Sequence, residues 1–199
     1  MTDGGRLDVV VLAGGTGRRL GGASKPEVVA RGARLLDHVL NGVARVRDQL
    51  PPGRIAVVAP PSVAVPAGVL RTLEDPPLGG PVAGIAAGLA RLAQAATATR
   101  GPIARAGRTT DALAGDPAPL TAVIPCDAPD SWRALPALLE TLGRCEAADG
   151  ACATDGEHIQ FLLGVYRTAA LAAAVAPQGV ALRDVAVRRA LRTLNLAHV

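Results

Sequence analysis

Residues 7–25 read LDVVVLAGGTGRRLGGASK. The first part, Leu7 to Ala13, is an apolar run with three consecutive valines, the composition of a strand buried on both faces. It opens directly onto Gly14, Gly15, Gly17, Gly21 and Gly22, interleaved with Arg18, Arg19 and Lys25. Glycines let backbone amides approach a polyphosphate closely, and cations neutralise charge that grows during phosphoryl or nucleotidyl transfer. The stretch therefore predicts an α/β domain whose first strand ends at a phosphate-binding loop. It is not a Walker A loop, because Ser24 precedes Lys25 and Pro26 follows it. Nor is it the dinucleotide fingerprint, which needs a glycine where Leu20 stands.

Strands alternate with helices on either side of this loop. Leu35, Leu36, Val39, Leu40, Val43 and Val46 recur at helical spacing and predict a helix over 33–47, stopped by Pro51, Pro52 and Gly53. Residues 54–59 and 69–74 read as strands, and 81–96 as an alanine-rich helix entered through Pro81. Residues 97–119 lack periodicity and are rich in glycine and proline, which predicts a flexible surface insertion. Beyond it come a strand at 120–125, a helix at 131–144, strands at 149–153 and 159–166, and closing helices at 168–176 and 182–194. This alternation predicts one domain over residues 1–199, with a mostly parallel sheet covered on both faces. Such sheets bind ligands at the carboxyl ends of their strands.

Composition excludes several classes. With 49% hydrophobic and 19% charged residues, the chain is too apolar for intrinsic disorder. Its longest uncharged stretches, 55–70 and 168–182, are broken by proline before reaching the roughly 20 residues of a membrane span. No signal peptide is evident at the N-terminus, so a cytoplasmic location is expected. Three cysteines without CxxC spacing argue against a disulfide framework and a zinc knuckle. Net charge is +4 with scattered basic residues, and Trp132, Phe161 and Tyr166 are the whole aromatic complement, too few for a base-stacking platform. Nucleic acid is not an expected partner. Among 21 basic residues, Lys25 is the single lysine. In so arginine-biased a chain, a lysine stands where a compact point charge serves better than a planar fork.

Two further segments carry candidate chemistry. IPCDAPD at 124–130 ends a buried strand in Asp127, held between Pro125 and Pro129. A carboxylate there can hold Mg2+ against substrate phosphates, because magnesium takes few protein carboxylates and keeps several waters. Asp130, just before SWRALPALLE, is the expected cap of the following helix. LEDPPLGGPVAGIAAGL at 73–89 places Glu74 and Asp75 before a Pro/Gly turn that opens a helix.

The order LAGGxxxRxGGxxK, D…GPxAGIxAGL and PCDxP resembles the molybdenum cofactor guanylyltransferase family, across essentially the whole chain. The resemblance implies a three-layer α/β/α, Rossmann-like nucleotidyltransferase fold. It implies that Leu12, Ala13, Gly14 and Gly15 contact guanine and phosphates, Arg19 and Lys25 the triphosphate, Asp75 the nucleoside, and Asp127 Mg2+. IQFLLGVY is similar to a family segment on the acceptor side and implies acceptor contacts from Gln160 and Tyr166, with Phe161 replacing a proline. Ser24 and Ala59 also depart from the family, standing where aspartate and asparagine are common.

The implied reaction is Mg2+-dependent guanylyl transfer from GTP to the terminal phosphate of molybdopterin, or of its molybdenum-loaded form, with pyrophosphate leaving. Arg19, Lys25 and Asp127 would be its catalytic residues. A phosphate nucleophile is already anionic, so no general base is required. Molybdoenzymes or cofactor-delivery proteins are the implied downstream partners. Two alternatives remain open: a nucleotidyltransferase using CTP or another phosphorylated acceptor, and a nucleotide-binding paralogue without turnover.

Overall fold

The computed structural model describes residues 5–14, 25–48, 50, 53–98 and 116–199. Nine strands are described: β1 (Leu7–Leu12), β2 (Val29–Ala30), β3 (Ala33–Arg34), β4 (Ile55–Val58), β5 (Leu70–Thr72), β6 (Leu120–Pro125), β7 (Gly150–Asp155), β8 (His158–Arg167) and β9 (Leu196–His198). Five described helices accompany them: α1 (Leu35–Arg47), α2 (Gly80–Ala98), α3 (Leu135–Arg144), α4 (Thr168–Val175) and α5 (Val187–Ala190).

Seven strands form one sheet in the order β5-β4-β1-β6-β8-β7-β9, and β2 and β3 make a separate small hairpin. β1 runs parallel to both β4 and β6, and β4 parallel to β5. β8 is antiparallel to both its neighbours, β6 and β7, while β9 rejoins β7 in parallel. The sheet is thus mostly parallel, with one reversed strand whose amino end lies at the edge where the other strands finish.

The valine run of β1 is buried on both faces, as its composition requires. Val9 and Val11 pack with Leu36, Val39 and Val43 of α1 and with Leu135 and Leu138 of α3. Val10 points the other way, with Ala56, Val58 and Leu92 of α2. On that second face, Val82 and Ile85 of α2 meet Val123, Tyr166 and Leu171 of α4. Two helical layers therefore sandwich the sheet. The glycines of GPVAGIAAGL allow the close approach: a Cβ added at Gly88 would fall 2.7 Å from Val10 Cγ1.

The boundaries differ from the sequence reading at several points. The 33–47 helix begins at Leu35, because Ala33 and Arg34 are the second arm of a hairpin that the periodicity did not reveal. α2 extends to Ala98, and most of the expected insertion, 99–115, lies outside the described residues. The expected closing helix over 182–194 is reduced to Val187–Ala190. Tertiary bonds override its helical pattern, since Leu182 N–H donates to Val175 O and Asp184 N–H to Gly79 O. Leu196–His198 then pairs with β7 as an edge strand.

Candidate active site

The four contiguous parallel strands β5, β4, β1 and β6 bring their carboxyl ends to one edge. β1 delivers Leu12, Ala13 and Gly14 there, and β6 delivers Cys126 and Asp127. The two segments are tied beyond their ladder by Cys126 N–H, which donates to Leu12 O at 3.0 Å, and β1 is tied on its other side to β4 by Ala13 N–H on Val58 O at 2.9 Å. Ala13 and Cys126 are buried, whereas Gly14 and Asp127 reach the surface. The two segments that the sequence singled out thus meet at the carboxyl ends of adjacent parallel strands. Gly15 and Arg19 lie outside the described residues.

Beyond the glycine-rich loop, the backbone re-enters as a 3-10 turn over Lys25–Glu27 and then forms the β2–β3 hairpin. Pro26 is buried, and Glu27 Oε1 accepts from Arg34 Nη1 at 2.9 Å. Arg34 also donates to both oxygens of Asp37, at 2.9 and 2.7 Å. Arg34 is the chief reason that the Asp37 carboxyl sits below its ordinary range. The segment that carries Lys25 is in this way braced against the first turn of α1.

On the other flank, β5 runs into Glu74 and Asp75. Asp75 is exposed, while Glu74 Oε1 accepts from Leu78 N–H at 3.1 Å. A Cβ added at Gly84 would lie 3.9 Å from Glu74 Oε2 and 3.3 Å from Leu12 Cδ2. Glu74 therefore stands beside the end of β1, a placement that its sequence neighbourhood did not distinguish from that of Asp75.

Gln160 is exposed at the amino end of β8, on the same edge. The β7–β8 ladder slips between Cys152, which faces Gly164, and Ala153, which faces Gln160, so Phe161, Leu162 and Leu163 bulge out. Tyr166 is placed differently from the acceptor contact expected of it. It is fully buried, donating its hydroxyl to Phe161 O at 2.6 Å and lying 3.0 Å from Cys152 Sγ. Its role is to hold the bulge from behind. Burial raises both hydroxyl and thiol pKa, that of Cys152 to about 11.

Asp130 also departs from expectation. It precedes the 3-10 turn Ser131–Ala134, yet its carboxylate makes no cap bond. It instead accepts from Arg31 Nη2 at 2.8 Å and lies 3.6 Å from Arg133 Nε. The Arg31 bond is the main cause of a lowered Asp130 carboxyl pKa. Arg31 itself was not singled out by the sequence, since its partner lies 99 residues away.

Asp127, the carboxylate that the sequence reading expects to hold a metal, is exposed just after the end of β6. One strand-end carboxylate suits Mg2+, which takes one or two carboxylates and fills its octahedron with waters and substrate phosphates. Among the described residues, no group of three or more His, Cys, Asp or Glu side chains could hold a metal ion. No described helix is long and apolar enough to cross a membrane.

The family model for the MobA-like NTP transferase domain matches residues 9–197. The chain belongs to the MobA-like NTP transferase family. A curated protein of Acidiphilium cryptum (strain JF-5), named molybdenum cofactor guanylyltransferase, is 31% identical over 191 residues, covering 91% of this chain and 86% of that protein. Among solved structures, the molybdopterin-guanine dinucleotide biosynthesis protein A of Archaeoglobus fulgidus superposes with a TM-score of 0.57 at 19% identity, covering 96% of this chain and 82% of that one. The 2-C-methyl-D-erythritol 4-phosphate cytidylyltransferase of Thermus thermophilus gives 0.53 at 19% identity, covering 96% and 86%. These likenesses establish the three-layer nucleotidyltransferase fold, and the family makes the chain a nucleotidyltransferase.

Proposed function

We propose that this protein transfers guanylyl from GTP to the terminal phosphate of molybdopterin, or of its molybdenum-loaded form. The observation that carries the reading is that Ala13 and Gly14 leave β1, and Asp127 leaves β6, at the same sheet edge, where Cys126 N–H on Leu12 O joins the two strand ends. The sequence likeness to the Acidiphilium enzyme supports the choice of guanylyl and of acceptor.

In this mechanism the acceptor phosphate oxygen attacks the α-phosphorus of GTP, and the bond from that phosphorus to the β-phosphate oxygen breaks. Pyrophosphate leaves with the electron pair. Leu12, Ala13, Gly14 and Gly15 line the nucleotide, with Asp75 on the nucleoside. Lys25 and Arg19 draw charge from the triphosphate as it moves onto the leaving group. Asp127 would hold Mg2+, whose charge, when bound, screens the phosphate oxygens during transfer. Gln160 and the adjoining bulge face the acceptor. Because that nucleophile is anionic at neutral pH, positioning and charge neutralisation suffice.

The test is pyrophosphate release with molybdopterin and each of GTP, CTP, ATP and UTP, with and without Mg2+. Turnover selective for GTP and dependent on Mg2+ is expected, and Lys25→Ala and Asp127→Ala should each abolish it. A CTP preference would move the chain to cytidylyl transfer. Undiminished pyrophosphate release in both variants would sink the mechanism.

A further inference from the structure

The hairpin after Lys25 turns at Arg31 and Gly32, whose φ values are 52° and 81°. A two-residue turn with both φ values positive suits Asn-Gly, since a side chain other than Asn or Asp is disfavoured in the left-handed region. Arginine gains nothing from that backbone. Its partner is equally out of character, because an aspartate before a helical turn ordinarily accepts from the N–H groups of that turn, and Asp130 does not. Two local preferences are left unmet for one contact, Arg31 Nη2 to Asp130 Oδ2 at 2.8 Å, across 99 residues of sequence.

That contact joins the two halves of the site. Arg31 lies six residues after Lys25, and Asp130 three residues after Asp127. The base of the hairpin is already fixed to α1 by Arg34 with Glu27 and Asp37, and by His38 Nε2 against Ala30 O at 2.7 Å. What the tip adds is a tie to the β6–α3 loop. With side chains 60% and 51% exposed, the pair contributes little to stability. Geometry is what it can fix, and transfer rates respond steeply to it, a misplacement of about 1 Å costing on the order of 100-fold.

We infer that Arg31 is a positioning residue, whose ion pair with Asp130 sets the segment carrying Lys25 against the loop carrying Asp127 for nucleotidyl transfer. The inference rests on the guanylyltransferase reading. Its test is steady-state pyrophosphate release by the full chain with GTP, Mg2+ and molybdopterin, alongside thermal melting. Arg31→Asn removes the tie and gives the turn a residue that it prefers. It should melt at or above the wild-type temperature, while kcat falls roughly 3- to 10-fold and KM for GTP changes less than about 2-fold. The charge-reversed pair Arg31→Asp with Asp130→Arg should recover most of the activity lost by Asp130→Arg alone.

Wild-type kcat in Arg31→Asn would overturn the inference, as would a reversed pair no better than Asp130→Arg. A melting temperature lowered by more than about 4 °C, the size of a 1 kcal/mol effect or more, would make the role structural and also overturn it. No pyrophosphate from the wild type with any nucleotide would remove the functional reading itself, an outcome distinct from the others.

Discussion

Tyr166→Phe separates a residue that braces the proposed acceptor side from one that touches the acceptor. The tyrosine is fully buried, and its ring fits against two glycines. A Cβ at Gly150 would come within 2.6 Å of Cδ1, and one at Gly164 within 2.9 Å of the hydroxyl. Phenylalanine keeps the ring, so little apolar contact is lost and no large cavity opens. What goes is the 2.6 Å bond to Phe161 O and the 3.0 Å contact with Cys152 Sγ. A buried acceptor left without its donor costs about 1–3 kcal/mol, and removal of a buried hydroxyl offsets part of that, for an expected loss of about 1–2 kcal/mol. In a chain of this length that lowers Tm by about 2–8 °C. Urea unfolding at pH 7 should show the loss with an unchanged m-value. Because the bond anchors the bulge next to Gln160, KM for the acceptor should rise modestly while KM for GTP holds. Unchanged stability together with a roughly tenfold or larger rise in acceptor KM would refute the buried placement and return the hydroxyl to the acceptor.

Asp8, 1% exposed at the start of β1, accepts Arg54 N–H at 2.6 Å on one oxygen and Ala118 N–H at 3.1 Å on the other. Asp8→Ala strands both amides and should cost about 2–4 kcal/mol by urea unfolding, with kcat per folded molecule unchanged because the site is at the opposite sheet edge. The buried Cys152 thiol, raised from 9.0 to about 11, predicts an alkaline weakness. The folded state keeps this proton where the unfolded chain releases it, so stability is intact below pH 9 and is lost as pH rises from 9 to about 11. The thiol's share is about 2–3 kcal/mol by linkage, and denaturation profiles of Cys152→Ala should lack the part that sets in at pH 9, keeping only that of the buried Tyr166 hydroxyl at higher pH.

The central strands were legible because their environment is uniform. LDVVVL and LTAVIP are buried on both faces, so a largely apolar run, interrupted only by Asp8 in one and Thr121 in the other, maps directly onto each strand. The placement of Asp127 was legible for a related reason: in a parallel sheet, residues just past a buried strand lie at the strand-end edge, whatever the rest of the chain does. The β2–β3 hairpin was not, since strands of two residues carry no periodicity. RDVAVRRALRTL has the apolar spacing of a helix, yet bonds from Leu182 and Asp184 to Val175 and Gly79 hold its start out of helical geometry, with Asp184 at a φ of 55°. Tyr166 and Asp130 depart from their expected roles for the same cause. Each has chemistry that suits a local or family role, but Asp130 is claimed by Arg31, 99 residues away, and Tyr166 by Phe161 and Cys152, set around its hydroxyl by the irregular β7–β8 ladder.

The reversed strand explains how one edge can serve two substrates. β5, β4, β1 and β6 arrive in parallel and present a row of strand ends, where main-chain groups and Asp127 suit a nucleotide and its phosphates. β8 runs the other way, so the edge there is made by a strand beginning and not by one ending. Its pairing with β6 stops at Val123 against Gly164, leaving Gln160 to Leu163 free of that ladder. Side chains and insertions in such a bulge can change without altering the register of β1 or β6. In the proposed reaction, acceptor choice is therefore set on a part of the sheet outside the hydrogen-bond ladder of the nucleotide half. The Tyr166 hydroxyl on Phe161 O is a restraint on that part, which is why its loss should reach the acceptor before it reaches GTP.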